Sequence, residues 1–261
     1  MKSFYLGLKE LYDFRNLIIV LAIKEVKIRY KSAVLGWVWS LLNPLLLMLI
    51  FTVIFSFIFP VGIEKFPVFL LCALFPWFFF STSFSQTTTS IVENASLLKK
   101  ASFPCEVIPL SIIGANLLNF VIALLLLFVF LLFSQSYPTW YWLYIPLIIL
   151  LETIFVAGIC FAAAALHTMF RDVKYAVELT LLVWFYATPI FYPLSFVPER
   201  IRPLFFFNPL GLFAGLYRDI LLYGKCPDIL VLGIITVIAF LSSVIGWLVF
   251  QRYKKFFVDV T

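Results

Sequence analysis

The residues that could carry out chemistry are few in this chain. Its one histidine, His167, stands beside Arg171 and Asp172 in a pattern typical of a helix end. The sequence has no H-E-x-x-H, no G-x-S-x-G and no D-x-D pair, and Gly224-Lys225 lacks the upstream glycine of a P-loop. Because catalysis needs clustered groups, the sequence predicts a protein that is not an enzyme and binds no metal or cofactor of its own.

Two acidic residues lie in apolar surroundings, Glu152 and Glu178. A charge inside a bilayer is costly, so Glu152 must be protonated, paired or in contact with water, and we predict that it lies on a substrate path. Glu178 is predicted at the level of the inner headgroups. A proton- or sodium-coupled carrier would be expected to hold more such residues and repeated halves. A stand-alone carrier of a small metabolite or drug remains the alternative function.

Aromatic and hydroxyl side chains are abundant: the chain has 32 Phe, 12 Tyr and 7 Trp, and residues 81–90 run S-T-S-F-S-Q-T-T-T-S. Aromatic faces stack on sugar rings, and hydroxyl groups exchange hydrogen bonds with sugar hydroxyls. A hydroxyl-rich helix face also suits packing against another helix, so both interpretations are open. The aromatic candidates for a path are Trp37, Trp39, Phe78, Trp184 and Tyr186.

Composition identifies the solvent of this chain as lipid. Of its 261 residues 64% are hydrophobic and 12% charged, whereas soluble domains are about half apolar and about a quarter charged. The apolar runs are long and unbroken, unlike the alternating strands of a membrane barrel. At about 20 residues per span, the chain has room for six helices, and we predict an all-α polytopic membrane protein.

The six predicted spans form one transmembrane domain over residues 1–261. The first, third, fifth and sixth spans cover 34–59, 107–133, 175–193 and 229–250. The second span begins at 67 and runs through the hydroxyl-rich 81–90, and the fourth begins at 140 and ends in the segment 167–174. These spans form a bundle over 33–250, and residues 1–32 and the tail 251–261 lie in the cytoplasm. With both termini inside, most of the 19 Lys and Arg residues lie on the inner side. The net charge of +6 therefore reflects topology, and no nucleic-acid partner is predicted.

The N-terminal segment 13–31 has the pattern of an amphipathic helix that lies on the membrane surface and contacts lipid. One side carries the apolar residues Phe14, Leu17, Ile18, Leu21 and Ile28, and an adjacent side carries Lys24, Lys27 and Lys31. A plain basic flank next to the first span is the alternative.

Two interruptions predict moving parts. Asn43-Pro44 lies inside the first span, where proline removes a backbone hydrogen bond, so a hinge is expected there. The polar connection 91–106 is long enough for a two-turn helix that ends before Pro104. That connection is either an ordinary loop or a helix that docks onto a cytoplasmic partner.

The segment 194–227 is too apolar for a loop in water and too interrupted for one span. Its breaks are Pro198, Pro203, Pro209, Gly211 and Gly215. These features predict two short re-entrant helices that act as an outer gate, with irregular backbone shielded by protein. Gly211 and Gly215 form a G-x-x-x-G that would let another helix approach closely.

One stretch carries a family resemblance. Residues 29–44, R-Y-K-S-A-V-L-G-W-V-W-S-L-L-N-P, resemble the start of the membrane subunits of ABC-2-type polysaccharide exporters, among which the O-antigen exporters are the most similar. F-R-D-V at 170–173 and F-N-P-L at 207–210 fit the same family in order and spacing.

The resemblance implies a homodimer joined to two copies of a separate ABC ATPase, which binds ATP and Mg. This complex would export a lipid-linked polysaccharide across the bacterial inner membrane. By the same analogy Glu93, Lys99 and Lys100 belong to a coupling helix seated on the ATPase, and the helices around 198–223 form the outer gate. The path would lie between the protomers, lined by the first and fifth spans.

Overall fold

The computed structural model of the chain describes residues 11–30, 38–100 and 103–257. Within these ranges the principal elements are helices: α1 Arg15–Tyr30, α2 Val38–Val53 with a π-helical extension Ile54–Ile58, α3 Phe66–Glu93, α4 Ala95–Lys100, α5 Val107–Phe133, α6 Ile145–Met169, α7 Val173–Ala187, α8 Pro209–Tyr217 with a π-helical extension Arg218–Leu222, and α9 Ile229–Tyr253. Short 3-10 helices occur at Trp140–Tyr144, Leu194–Phe196, Arg202–Phe207 and Lys254–Phe256. The all-α prediction is confirmed.

Five helical segments of the described residues are long and apolar enough to cross a membrane. They are Leu41–Ile58, Phe66–Glu93, Val107–Phe133, Trp140–Met169 and Ile229–Phe256. The expected span 175–193 corresponds to α7, which has 15 residues and is about 22 Å long, against a hydrocarbon core of about 30 Å. The helix ends because Pro189 forces Thr188 into an extended conformation (ψ 134°). The count of six spans therefore stays a prediction.

Helix α3 is the centre of the bundle. It packs against α2, α5, α6, α7 and α8, and its first half is almost continuously buried from Phe66 to Phe80. Proline at the start of α3 and a left-handed Lys65 before it (φ 54°) fix where the helix begins. The aromatic side chains fill the core by stacking, as between Phe79 and Phe120, whose ring centroids are 5.1 Å apart.

Small residues bring α6 and α9 into backbone contact. A Cβ atom added to Gly246 would overlap the carbonyl group of Gly158, and one added to Gly158 would overlap the backbone of Ser242. The sequence did not reveal Gly246 as the partner of Gly158. Because neither position has room for a side chain, the two helix backbones touch each other at this point.

The N-terminal helix α1 lies along α5, with Ala22 buried and its Cβ 3.5 Å from where a Cβ on Gly114 would sit. Lys24 and Lys27 are exposed, as expected for a face turned to headgroups, and so is Ile28. Lys31 lies outside the described residues. The position of this helix on a membrane surface remains a prediction.

Helix α2 continues without a break through Asn43-Pro44. Asn43 is exposed and Pro44 is buried. The irregular turn of this segment is the π-helical stretch Ile54–Ile58, ten residues further along. A hinge at Pro44 remains a prediction about motion.

Candidate functional site

A buried arginine ties three segments together at one end of the bundle. Arg218 donates from Nη1 to the carbonyl oxygen of Pro189 (2.7 Å), from Nη2 to that of Ile190 (2.6 Å) and from Nε to that of Phe69 (3.2 Å). Its guanidinium carbon also lies 3.5 Å from the centre of the Phe69 ring. Pro189 and Ile190 have left helix α7, so their carbonyl groups need partners from elsewhere in the chain. We call residues 188–222, with the first turns of α3, the Arg218 end.

The charge of this arginine persists despite its burial. Removal from water lowers the pKa of Arg218 to about 10, so the guanidinium is protonated at neutral pH. A protonated guanidinium has five N–H donors in a planar fork, which suits several carbonyl groups at once. Each contact is therefore a charge-assisted hydrogen bond.

Asn208 joins the end of α7 to the start of α8. Its Oδ1 accepts from Trp184 Nε1 (3.0 Å) and from the Gly211 backbone N–H (3.3 Å), and its Nδ2 donates to Thr188 Oγ1 (3.1 Å) and to the Ala187 carbonyl (3.2 Å). Asn208 is the N-cap of α8 and Pro209 follows at the first turn. The sequence contained this cap in its F-N-P-L motif, where asparagine before proline is a helix-start pattern.

The expected pair of short helices in the segment 194–227 is present as the 3-10 helix Arg202–Phe207 and the helix from Pro209 to Leu222. Pro203 and Pro209 lie in the first turns of these two helices, and Pro198 precedes them. Pro198 and Pro203 are exposed, whereas Pro209 is buried. Whether they act as a gate remains a prediction.

The two glycines of the G-x-x-x-G border a cavity rather than a second helix. The cavity, about 230 Å³ in volume, is lined among others by Arg202, Asp219, Gly211 and Gly215. A Cβ on Gly211 would lie 3.1 Å from Pro189 Cδ, but one on Gly215 would meet no atom of the described residues within 4 Å. The space beside Gly215 is open to the cavity, and the close approach of another helix there remains a prediction.

Glu152 is fully buried in α6, and the hydroxyl group of Tyr217 donates to its Oε2 at 2.9 Å. Its Oε1 has no partner among the described residues. The structure thus gives Glu152 one hydrogen-bond partner, and its protonation state remains a prediction. Tyr217 is 65 residues away in sequence, so no local sequence pattern could predict that it contacts Glu152. The role of Glu152 on a substrate path remains a prediction, while Glu178 is exposed on α7.

The aromatic candidates whose side chains the structure describes lie on two helices, α3 and α7. Trp184 is half-buried by its contact with Asn208, Phe78 is half-buried on α3, and Tyr186 is 61% exposed on α7. Trp37 lies outside the described residues, and Trp39 lies in α2 with its side chain outside the described set. One of these candidates, Trp184, lines a shallow groove along α7 together with Leu179, Thr180, Val183 and Ala187.

The opposite end of α3 holds a polar cavity of about 380 Å³. Its lining consists of Glu25, Ser85, Gln86, Thr89, Glu93, Asn94, Ile112 and Lys174. The hydroxyl-rich stretch divides between two faces: Ser83, Thr87 and Ser90 are buried in the bundle, whereas Ser85 and Thr89 face the cavity. The helix-packing interpretation thus holds for Ser83, Thr87 and Ser90, and a path role for Ser85 and Thr89 remains a prediction.

Helix α4 confirms the expected short helix between α3 and α5. Asn94 supports both sides of the junction: its Nδ2 donates to the Ser90 carbonyl (2.9 Å), and its own carbonyl accepts from the backbone N–H groups of Leu97 and Leu98. Glu93 and Lys99 are exposed, and the side chain of Lys100 lies outside the described set. We call α4, with the adjoining turns of α1, α3, α5 and α7, the α4 end.

Known proteins resemble the chain over nearly its whole length. Residues 16–222 match the family model of ABC-2 type transporters. The chain is 36% identical over 222 residues to the O-antigen export system permease protein RfbA of Myxococcus xanthus, covering 84% of this chain and 85% of that protein. It is 33% identical over 246 residues to an RfbA of Klebsiella pneumoniae, covering 94% and 95%. It is 23% identical over 238 residues to the polysialic acid transport protein KpsM of Escherichia coli, covering 90% and 92%.

Proposed function

The chain belongs to the ABC-2 type transporter family, and on that premise we propose that it is the permease subunit of an exporter of lipid-linked polysaccharide. The cargo would be O-antigen-like and would cross the bacterial inner membrane. The observation that carries this proposal is the identity of 36% over 84% of the chain to a permease named for O-antigen export. The five apolar helices long enough to cross a membrane agree with such a role.

We propose that two copies of a separate ABC ATPase supply the energy. The sequence has no P-loop, so ATP and Mg would be bound by that partner. Its docking surface would be the α4 end, where a six-residue helix presents the exposed charges of Glu93 and Lys99. With both termini in the cytoplasm, this end faces the ATPase and the Arg218 end faces outward as the gate.

A homodimer would supply the transport path. Helices α2 and α7 expose large apolar side chains, among them Leu49, Val53, Leu179 and Val183. Because α7 is too short to cross lipid unaided, a second copy packed near it would shield its ends. The aromatic candidates Trp37, Trp39, Phe78, Trp184 and Tyr186, together with Glu152, would then border the path between protomers.

The test is co-expression with the neighbouring open reading frames, among which we expect one that encodes an ABC ATPase. We expect the two chains to co-purify and to hydrolyse ATP, and we expect surface polysaccharide to disappear from cells that lack either gene. The control is an ATPase whose P-loop lysine is replaced, which should assemble with the permease without export. A chain that binds no ATPase and moves a small solute down an ion gradient would instead be the stand-alone carrier.

A further inference from the structure

A buried carboxylate joins the chain after α4 to the last helix. Glu106 is 2% exposed and directly precedes α5. Its Oε1 accepts from Gln251 Nε2 (2.7 Å) and from Lys254 Nζ (2.8 Å), and its Oε2 accepts from Lys254 Nζ (3.0 Å). The two donors lie at the C-terminal end of α9 and just after it. The residue before α5 and the end of α9, which are far apart in the sequence, are therefore held together by hydrogen bonds.

The same place carries an apolar cluster separate from the main core. Its buried members are Ile91, Phe161, Ala164, Ala165, Phe250 and Phe257. Leu98 of α4 and Cys105 pack against this cluster. Helix α4 thus packs through Leu98 against a cluster to which Phe250 of α9 belongs. The chain that follows α4 is held to the last turns of α9 through Glu106.

Helix α4 depends on such anchors for its orientation. A helix of six residues is too short to be stable by its own hydrogen bonds. On one side Asn94 fixes it to the end of α3. On the other side, Glu106 is the first buried charged residue after Lys100 among the described residues. A helix that is held at both ends passes a displacement by its partner on to the bundle, whereas a helix held at one end changes its orientation relative to the bundle.

We propose that Glu106, Lys254 and Gln251 form an anchor that positions α4 and couples its movement to α9. These are positioning residues, since they act through α4 and not on the cargo. The proposal deepens the proposed function, because it rests on α4 being the contact with the ATPase. It adds the C-terminal turns of α9 to the parts through which ATP hydrolysis drives export.

The variants separate the anchor from folding. Lys254→Met removes the charged donor, and Lys254 is chosen because its side chain is 32% exposed, unlike that of Glu106 at 3%. Lys254→Arg keeps a charged donor that can pair with both carboxylate oxygens. Lys255→Met is the matched control, since Lys255 is exposed and is not a donor to Glu106. Thermal melting of each purified complex checks that assembly is retained.

The first readout is the thiol of Cys105, beside the anchor. Cys105 is half-buried, Cys72 and Cys160 are buried, and Cys226 is exposed. A Cys226→Ser background removes the exposed thiol, so that Cys105 becomes the most accessible of these thiols. We expect Lys254→Met to speed maleimide labelling of Cys105, whereas Lys254→Arg and Lys255→Met label at the wild-type rate. Unchanged labelling in Lys254→Met would show that the contact anchors nothing.

The second readout is surface polysaccharide on cells divided by the ATPase rate of the purified complex. We expect this ratio to fall about fivefold or more in Lys254→Met, which is the size of a typical coupling between sites, and to recover in Lys254→Arg. A normal ratio despite faster labelling would overturn the coupling role. A wild-type chain that pairs with no ATPase would overturn the proposed function and the coupling with it, while the labelling still decides whether the anchor exists.

Discussion

The two ends of α3 differ in where their polar groups find partners. At the Arg218 end, Arg218 and Asn208 donate to backbone carbonyl groups of two other segments, at Phe69 and within residues 187–190. At the α4 end, Glu106 is paired within the chain, but Glu93 and Lys174 line an open cavity. The first end is completed by its own chain, whereas the second also presents charges to whatever lies beside it.

The difference arises because the Arg218 end contains buried backbone carbonyl groups without helical partners. Where α7 stops at Ala187 and α8 has not begun, buried carbonyl groups have no helical partner and need a donor with several N–H groups. At the α4 end the short helix leaves its charges exposed, so the bundle does not need to satisfy them. We therefore expect substitutions at the Arg218 end to change stability and those at the α4 end to change communication with a partner.

The largest loss of stability is expected from Arg218→Met. Three carbonyl groups lose their donor, and each buried unsatisfied group costs about 1–3 kcal/mol, so the free energy of unfolding should fall by roughly 3 kcal/mol or more. The measurement is thermal unfolding of the protein in detergent. Arg218→Lys, which keeps a charge but has no fork, should recover part of the loss. A wild-type melting temperature in Arg218→Met would contradict the difference between the ends.

A smaller loss is expected from Gly246→Ala, at the contact that connects α6 to α9 between the two ends. The added methyl group overlaps the Gly158 carbonyl, and such overpacking costs about 1–3 kcal/mol. Gly233→Ala in the same helix is the matched control, since its Cβ meets no described atom within 4 Å. Alanine there should stabilise the helix by up to about 1 kcal/mol. Equal melting of the two variants would refute the backbone contact.

Asn208→Ala and Asn94→Ala compare the two ends directly. Asn208 makes hydrogen bonds to α7, to Thr188 and to α8, and the loss of such a cap lowers the free energy of unfolding by about 1 kcal/mol. The side chain of Asn94 makes one hydrogen bond in its half-buried position, to the Ser90 carbonyl, so its removal should cost less. Amide hydrogen exchange is the measurement: we expect faster exchange over 202–217 in Asn208→Ala and a change confined to 91–100 in Asn94→Ala. If faster amide exchange covered equally long segments in both variants, the proposed difference between the two ends would be contradicted.

The smallest effect on stability is expected from reversing the charges of Lys99 and Lys100. Exposed substitutions usually change stability by less than about 0.5 kcal/mol, so melting should be unchanged for the Lys99→Glu, Lys100→Glu double variant. ATP hydrolysis by the complex should nevertheless be uncoupled from export. The control is Lys255→Glu, which reverses an exposed charge that belongs neither to α4 nor to the contact with Glu106. Normal export per ATP in the double variant would argue against docking at α4.

The sequence by itself determined the class of the protein and most of its helix ends. Long apolar runs with charges at their ends indicate lipid-spanning helices, and the bounds 107–133 predicted for the third span are those of α5. The short helix between α3 and α5 and the two helical pieces before α9 also followed from local breaks. Even the early end of α7 had a local cause in Pro189, although the pattern of apolar residues continued past it.

Only the tertiary structure decided which helix faces meet. The Glu152–Tyr217 and Arg218–Phe69 contacts join residues 65 and 149 positions apart, and the carboxylate of Glu106 meets Lys254 across 148. In a soluble protein the apolar face of a helix marks its buried side. In lipid the buried and the lipid-facing sides are both apolar, so the local pattern loses that information. The partners of the buried polar residues therefore became known only from the packed bundle.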